Sequence, residues 1–254
     1  MISRYEAWLN GVALSSVNPD ILILDIEQSS ANIRTETFAT AKRHGSRIYK
    51  RRFEKASVTI RFAIRKYDIS DRRAVCSDVV RWAKSGGVLE TNDRNGQRLR
   101  CVLDTVPVIA SALRWTDPLT VTFTAYALPF WEEKNQSILH LSGSNGEGTL
   151  YVPGDVDGAM IEATVTSNGS LSTLALSANG KTITLSGISV GSGGVVELAY
   201  SDEMVQSIKA NGTSVLNRRT GADDLVAVCG GTNTLGFTAN TDVDVNFKVR
   251  GLWI

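Results

Sequence analysis

The chain reads as mainly β, in two domains of different character, and three observations predict it. Apolar and polar residues alternate with period two in both halves, which places one face of each strand inward. Helical spacing is convincing in one segment only, about Asp71 to Ser85. Charge divides the chain: residues 1–136 hold 21 Lys/Arg against 15 Asp/Glu, and residues 137–254 hold 6 against 11. Of 18 aromatic residues, 13 lie in the first part, so the two parts differ in more than charge. The expected organisation is a domain over 1–136, a linker over 137–149 where Ser-Gly-Ser-Asn-Gly-Glu-Gly breaks any regular pattern, and a peripheral domain over 150–254.

In chain order, Trp8-Leu-Asn-Gly-Val12 is an early hairpin leading to a strand over Ile21–Glu27. A long basic loop follows, with Lys42-Arg-His-Gly-Ser-Arg-Ile-Tyr-Lys-Arg-Arg52 at its centre. The strand Ser57–Arg65 sends Val58, Ile60, Phe62 and Ile64 one way and Ser57, Thr59, Arg61 and Arg65 the other. In the helix, Ser70 or Asp71 is the expected cap, Val75, Val79 and Trp82 follow i, i+4, i+7 spacing, and Gly86-Gly87 stops it. Gly87-Val-Leu-Glu90 opens a hairpin around Asp93-Arg-Asn-Gly96. Leu119–Ala125 is a second alternating strand, with Leu119, Val121, Phe123 and Ala125 inward and three threonines outward, ending at Pro129-Phe-Trp131.

After the boundary come short strands separated by Asn168-Gly169, Asn179-Gly180 and glycine pairs, with Val243, Val245, Phe247 and Val249 the clearest alternation. Strands at such spacing predict an antiparallel sandwich or jelly roll, with at most a short helix near Ser201–Ser207.

Composition excludes several classes. A hydrophobic share of 43% and a charged share of 21% are globular values. Met1-Ile-Ser-Arg-Tyr-Glu lacks the pattern of a signal peptide, and no stretch approaches the roughly 18 to 20 apolar residues of a membrane span. Cys76, Cys101 and Cys229 lack paired spacing and read as buried, reduced thiols of a soluble intracellular product.

Catalytic signals are sparse. His44 and His140 are the only histidines, neither accompanied by a nucleophile elbow, and Glu132-Glu133, Asp202-Glu203 and Asp223-Asp224 read as surface charge. Gly187–Gly194 lacks the lysine of a phosphate loop and leads into a strand, so it reads as a flexible turn. Asp155 and Asp157 lack the further ligands of an EF-hand. The expectation is therefore no enzyme, no cofactor and no metal. The basic run at 42–52 has two readings: a charge patch for phosphate or an acidic protein surface, or a solvated hairpin arm.

The ordered set of elements over residues 1–135 resembles the distal tail protein (Dit) of long-tailed bacteriophages, the siphophage tail-component family. Tyr151-Val-Pro-Gly154, Ile208–Leu216 and the last strand are similar to the family's carbohydrate-module-like, galectin-like sandwich. The resemblance implies a tail-tube-like N-terminal β-sandwich domain with one helix and a C-terminal jelly roll. It also implies a structural hub in the virion's tail tip, made in the host bacterial cytoplasm: a homohexameric ring between the tail tube protein and the tip, receptor-binding or baseplate proteins. DNA would meet it only in transit, and no membrane is involved. Arg47, Lys50, Arg51, Arg52, Arg61 and Arg65 are the expected interface cations. The alternative is a carbohydrate-binding adhesin or adaptor at the host surface, for which only Tyr151, Tyr200, Phe237, Phe247 and Trp253 could supply a sugar platform. A cell-wall hydrolase and the tube protein itself are the remaining rivals.

Overall fold

A computed structural model describes residues 5–39, 46–108 and 117–254, and at positions 38, 39, 46, 47, 49 and 51 it describes the backbone. The chain divides into two units, Met1–Trp131 and Glu132–Ile254.

The first unit runs β1 (Ala7–Leu9), β2 (Val12–Ala13), α1 (Leu14–Val17), β3 (Ile21–Ser29), β4 (Ile33–Ala39), β5 (Ser46–Phe53), β6 (Ala56–Ile64), α2 (Ile69–Ala83), β7 (Gly87–Thr91), β8 (Gln97–Thr105) and β9 (Leu119–Ala125). Its main sheet is antiparallel, in the order β2-β1-β7-β8-β9-β6-β3. β6 alternates without exception: Val58, Ile60, Phe62 and Ile64 are buried, and Ser57, Thr59, Arg61 and Ala63 are half-buried. In β9, Leu119, Val121, Phe123 and Ala125 are buried as expected, but Thr124 is buried with them. Each large apolar side chain taken out of water in this way contributes about 1.5–3 kcal/mol.

α2 starts earlier than expected because Asp68, not Ser70 or Asp71, is its cap: the Asp68 carboxylate accepts from the Ser70 N–H at 2.7 Å. Val75, Cys76, Val79 and Ala83 turn inward, and the Trp82 ring meets Phe123 edge-on at 5.7 Å. Trp82 also donates from Nε1 to the Val12 carbonyl at 2.9 Å, which fastens the first hairpin to the helix. The helix stops at Gly86, whose φ of +59° and close approach to the Cys101 carbonyl exclude a side chain.

Beyond β10 (Trp131–Glu133), which crosses the boundary, the second unit contains β11 (Ser137–Val152), β12 (Ala159–Ser167), β13 (Leu171–Ala178), β14 (Lys181–Val190), β15 (Val195–Tyr200), β16 (Gln206–Ala210), β17 (Thr213–Ser214), β18 (Arg219–Gly221), β19 (Val226–Ala227), β20 (Gly231–Val249) and β21 (Leu252–Trp253). One ten-stranded antiparallel sheet is built around a long ribbon of β11 and β20. Residues 243–249 of β20 pair with β12, residues 235–239 pair with β13, and β11 pairs along both stretches, from Ser137↔Val249 to Val152↔Gly231. The register shifts between Gly143 and Asn145, between the stretch of the ribbon beside β12 and the stretch beside β13.

Several expectations change here. Residues 137–149 are not a linker but most of β11. Its glycines answer to packing: a Cβ on Gly146 would come within 2.9 Å of the Phe237 ring, and one on Gly148 within 3.2 Å of Leu139 and Leu141. Gly187 lies inside β14, whose Ile188 and Val190 are buried, so only residues 191–194 form a turn. Residues 201–205 lead into β16 without a helix, and the short 3₁₀ turn is at Leu216–Arg218.

Candidate assembly interface

The six nominated cations fall in two places. Arg47, Lys50, Arg51 and Arg52 belong to β5, which pairs with β4 as a separate two-stranded hairpin. Arg61 lies on β6 of the main sheet, and Arg65 follows the end of that strand. In the hairpin register Ile33 faces Phe53, Arg34 faces Arg52, Thr35 faces Arg51, Glu36 faces Lys50 and Phe38 faces Arg47, with a bulge at Tyr49. Lys42, Arg43 and His44 lie outside the described residues.

A β-hairpin projecting from a sheet needs an anchor at its root. Phe53 supplies it, meeting Phe130 edge-on at 4.9 Å, while Asn32 and residues 54–55 close the base through backbone bonds (Asn32 N–H to Lys55 O, Glu54 N–H to Asn32 O). The charges above the root are partly matched. Arg34 lies 3.1 Å from Glu54 and 3.8 Å from Glu36, and Arg52 lies 3.9 Å from each of the same two carboxylates. Arg61 is paired with Glu27 at 3.2 Å. These pairs are exposed and each is worth little, but they leave Lys50, exposed and in no ion pair with a described residue, as a cation available to a partner. Ile33 and Ile48 are also exposed on the hairpin, at 51% and 59%. Sequence reading missed the Glu36 and Glu54 counter-charges, although the alternation Arg34-Thr35-Glu36 was a period-two signal for them.

The other candidate sites resolve into structural roles. Asp155 Oδ1 accepts from the Ile254 N–H at 2.9 Å and Asp157 Oδ1 from the Cys229 N–H at 3.0 Å, so both carboxylates hold chain turns. No group of three metal-ligating side chains occurs among the described residues. His140 sits on the outer face of β11, its Nδ1 3.0 Å from Asn246 Oδ1 and its Nε2 3.1 Å from Ser142 Oγ. Ser142 donates its own proton to Asp244 at 2.7 Å, so the hydroxyl is committed to a carboxylate rather than to the imidazole. That order is unlike a nucleophilic triad. Glu132 is buried rather than surface charge, and Glu133 accepts from Trp253 Nε1 at 3.1 Å. All three cysteines are free and buried, and burial pushes the thiols up, to about 11 for Cys76 and about 12 for Cys101.

The second unit carries a polar groove of about 370 Å³ across β11, β20, β13 and β14, with Asn145, Glu147, Ser177, Thr182 and Thr238 around it and Gly236 at its floor. Of the five aromatic residues nominated for sugar, Phe237 and Phe247 are buried, Tyr200 and Trp253 are half-buried, and Tyr151 alone is exposed. No exposed aromatic platform lines the groove.

No family model matches the chain, and no curated protein matches it. Among solved structures it is similar to the SPP1 Dit (gp 19.1) protein, a hub of the adsorption apparatus in phages that infect Gram-positive bacteria. Identity is 10%, the TM-score is 0.71, and the match covers 97% of this chain and 98% of that one. The fold is a Dit fold. A chain of the phage P2 baseplate, in its activated conformation with Ca, is also similar, at 7% identity and a TM-score of 0.52 over 99% of this chain and 98% of that one. The likeness to SPP1 Dit covers 97% of the chain, so both units fall within it.

Proposed function

We propose that the chain is a structural hub of a bacteriophage tail tip, a non-enzymatic component of the virion. In this reading six copies close into a ring through their first units, stack on the tail tube protein, and present their second units to tip, receptor-binding or baseplate proteins. DNA meets the ring only in transit. The carrying observation is the likeness to SPP1 Dit across 97% of the chain, both units included.

Two local features support it. The main sheet has β3 at one edge with no further strand beside it among the described residues, and such an edge is a natural joint for a neighbouring subunit. The basic hairpin of β4 and β5 is anchored at its root and carries exposed Lys50, Ile33 and Ile48, which suits a clamp on the next copy. The carbohydrate-binding alternative draws no support from the groove, which lacks an aromatic platform.

The deciding measurement is the solution mass of the purified chain by light scattering. Six copies of the 27.5 kDa chain give about 165 kDa. That mass, or incorporation into purified tail tubes as a ring, is the expected result. A chain that stays monomeric and adds to no tube would overturn the proposal, and binding of the intact protein to a glycan array would then favour the adhesin.

A further inference from the structure

The chain contains six Asn-Gly pairs, at Asn10, Asn95, Asn145, Asn168, Asn179 and Asn211. In such a pair no Cβ shields the glycine amide, so its nitrogen can reach the asparagine side-chain carbonyl carbon. The fold does not leave the six equally open to that attack.

Four carboxamides are tied. Asn10 donates to the Gly86 carbonyl at 2.9 Å and accepts from the Val88 N–H at 2.9 Å. Asn168 donates to Asp244 at 3.1 Å. Asn179 donates to Asn233 at 2.8 Å and accepts from the Thr234 N–H at 3.1 Å. Asn211 accepts from the Val195 N–H at 2.8 Å. Asn145 is exposed, but it stands in the β11 ladder opposite Thr238, with Gly146 held against the Phe237 ring.

All six asparagines are exposed, but Asn95 combines an untied side chain with a place outside any strand ladder. It is exposed at the apex of the turn between β7 and β8, which is closed by the Gln97 N–H donating to the Arg94 carbonyl at 3.1 Å. Gly96 has a φ of +85°, which suits the third position of that turn. Neither the Asn95 carboxamide nor the Gly96 N–H bonds to any described residue.

We propose that Asn95 is the site at which this protein undergoes spontaneous deamidation, ahead of the other five pairs. The Gly96 nitrogen attacks the Asn95 side-chain carbonyl carbon, a C–N bond forms, and ammonia leaves with the side-chain nitrogen. Water then opens the cyclic imide at either carbonyl, giving aspartate or isoaspartate. Both products place a new carboxylate in the turn, and the second also routes the main chain through one extra methylene. The turn beside it is a latch: Gln28 on β3 donates to Asp93 at 2.6 Å and accepts from Arg94, whose guanidinium lies 5.1 Å over Trp131. Modification at Asn95 therefore loosens the fastening of β3.

The test is peptide mapping by mass spectrometry of the intact native chain held at mildly alkaline pH, with isoaspartyl methyltransferase labelling as a second readout. The amide-to-acid mass gain is expected first in the peptide carrying Asn95, and Asn95→Gln should remove it. In denaturant the six pairs should lose their ranking, which identifies the fold as the source of selectivity. First appearance at Asn145 or at a tied asparagine, equal rates in the native chain, or no gain at all would overturn the proposal.

Discussion

Asn233 has no solvent exposure, and its side chain serves both strands around it. Its Oδ1 accepts from the Val228 N–H at 2.7 Å and from Asn179 at 2.8 Å, and its Nδ2 donates to the Val228 carbonyl at 2.9 Å. An apolar replacement removes those bonds, at about 0.5–1.5 kcal/mol for each one lost. Asn233→Leu is therefore expected to lower the unfolding free energy of the second unit by about that much for each bond, read as a lower urea midpoint with the slope unchanged. Asp244 makes a different prediction. Ser142, then Asn168 and the charge of His140, hold its carboxyl below the ordinary 3.8. A depressed carboxylate stabilises the fold above its unfolded pKa and loses that contribution as pH falls through the folded value. Acid titration of the folded chain should show a shallower loss below about pH 4 for Asp244→Asn than for the parent, given the ordinary carboxylate range; identical acid limbs would remove Asp244 from the account. At this scale the sequence was legible where alternation governs, as in Val58 to Ile64. It was not legible at Asp68 or Thr124, because a cap is chosen by backbone geometry and a polar side chain is buried by what covers it.

Among elements, β11 was the one most misread. Ser-Gly-Ser-Asn-Gly-Glu-Gly has the composition of a linker, yet its glycines are there to admit Phe237 and Leu139 from the ribbon they belong to. Cross-strand fit of that kind has no local signature, since Phe237 is distant in sequence. The basic segment was legible as a hairpin arm, but its neutralising partners were not, because Glu36 reaches Arg52 only through the β4–β5 register. Under the ring reading, replacing Arg47, Lys50, Arg51 and Arg52 with Ser should weaken assembly while leaving the main sheet intact. Ring mass by light scattering and far-ultraviolet dichroism would check the two halves of that statement, and an unchanged ring would discard the hairpin as a clamp.

For the whole molecule, the charge asymmetry is the property that composition announced, and its dividing line lies within a few residues of the boundary between the two units. Residues 1–136 carry a surplus of six positive charges and residues 137–254 a surplus of five negative ones. Exposed charges farther apart than a Debye length, about 8 Å at physiological salt and about 3 Å at 1 M, are largely screened. A ring held partly by the hairpin cations should therefore lose mass as salt rises, whereas one held by sheet edges alone should not. The light-scattering measurement thus separates the two joints when repeated across ionic strength.

The ribbon of β11 and β20 also dictates when the second unit can form. Ser137 pairs with Val249, so the first and last long strands of that unit are hydrogen-bonded neighbours. Residues 235–239 can meet β13 as soon as they are made, but the stretch 243–249 that pairs with β12 and with the start of β11 is complete only when synthesis passes Val249. A search over so long a loop makes folding slow. The newly made unit therefore keeps its β12 edge without the β20 partner until late in translation. The same adjacency means that its two ends could be joined by a short peptide and the chain reopened at the Asn179-Gly180 turn, which would make β11 and β20 neighbours in sequence as well as in the sheet.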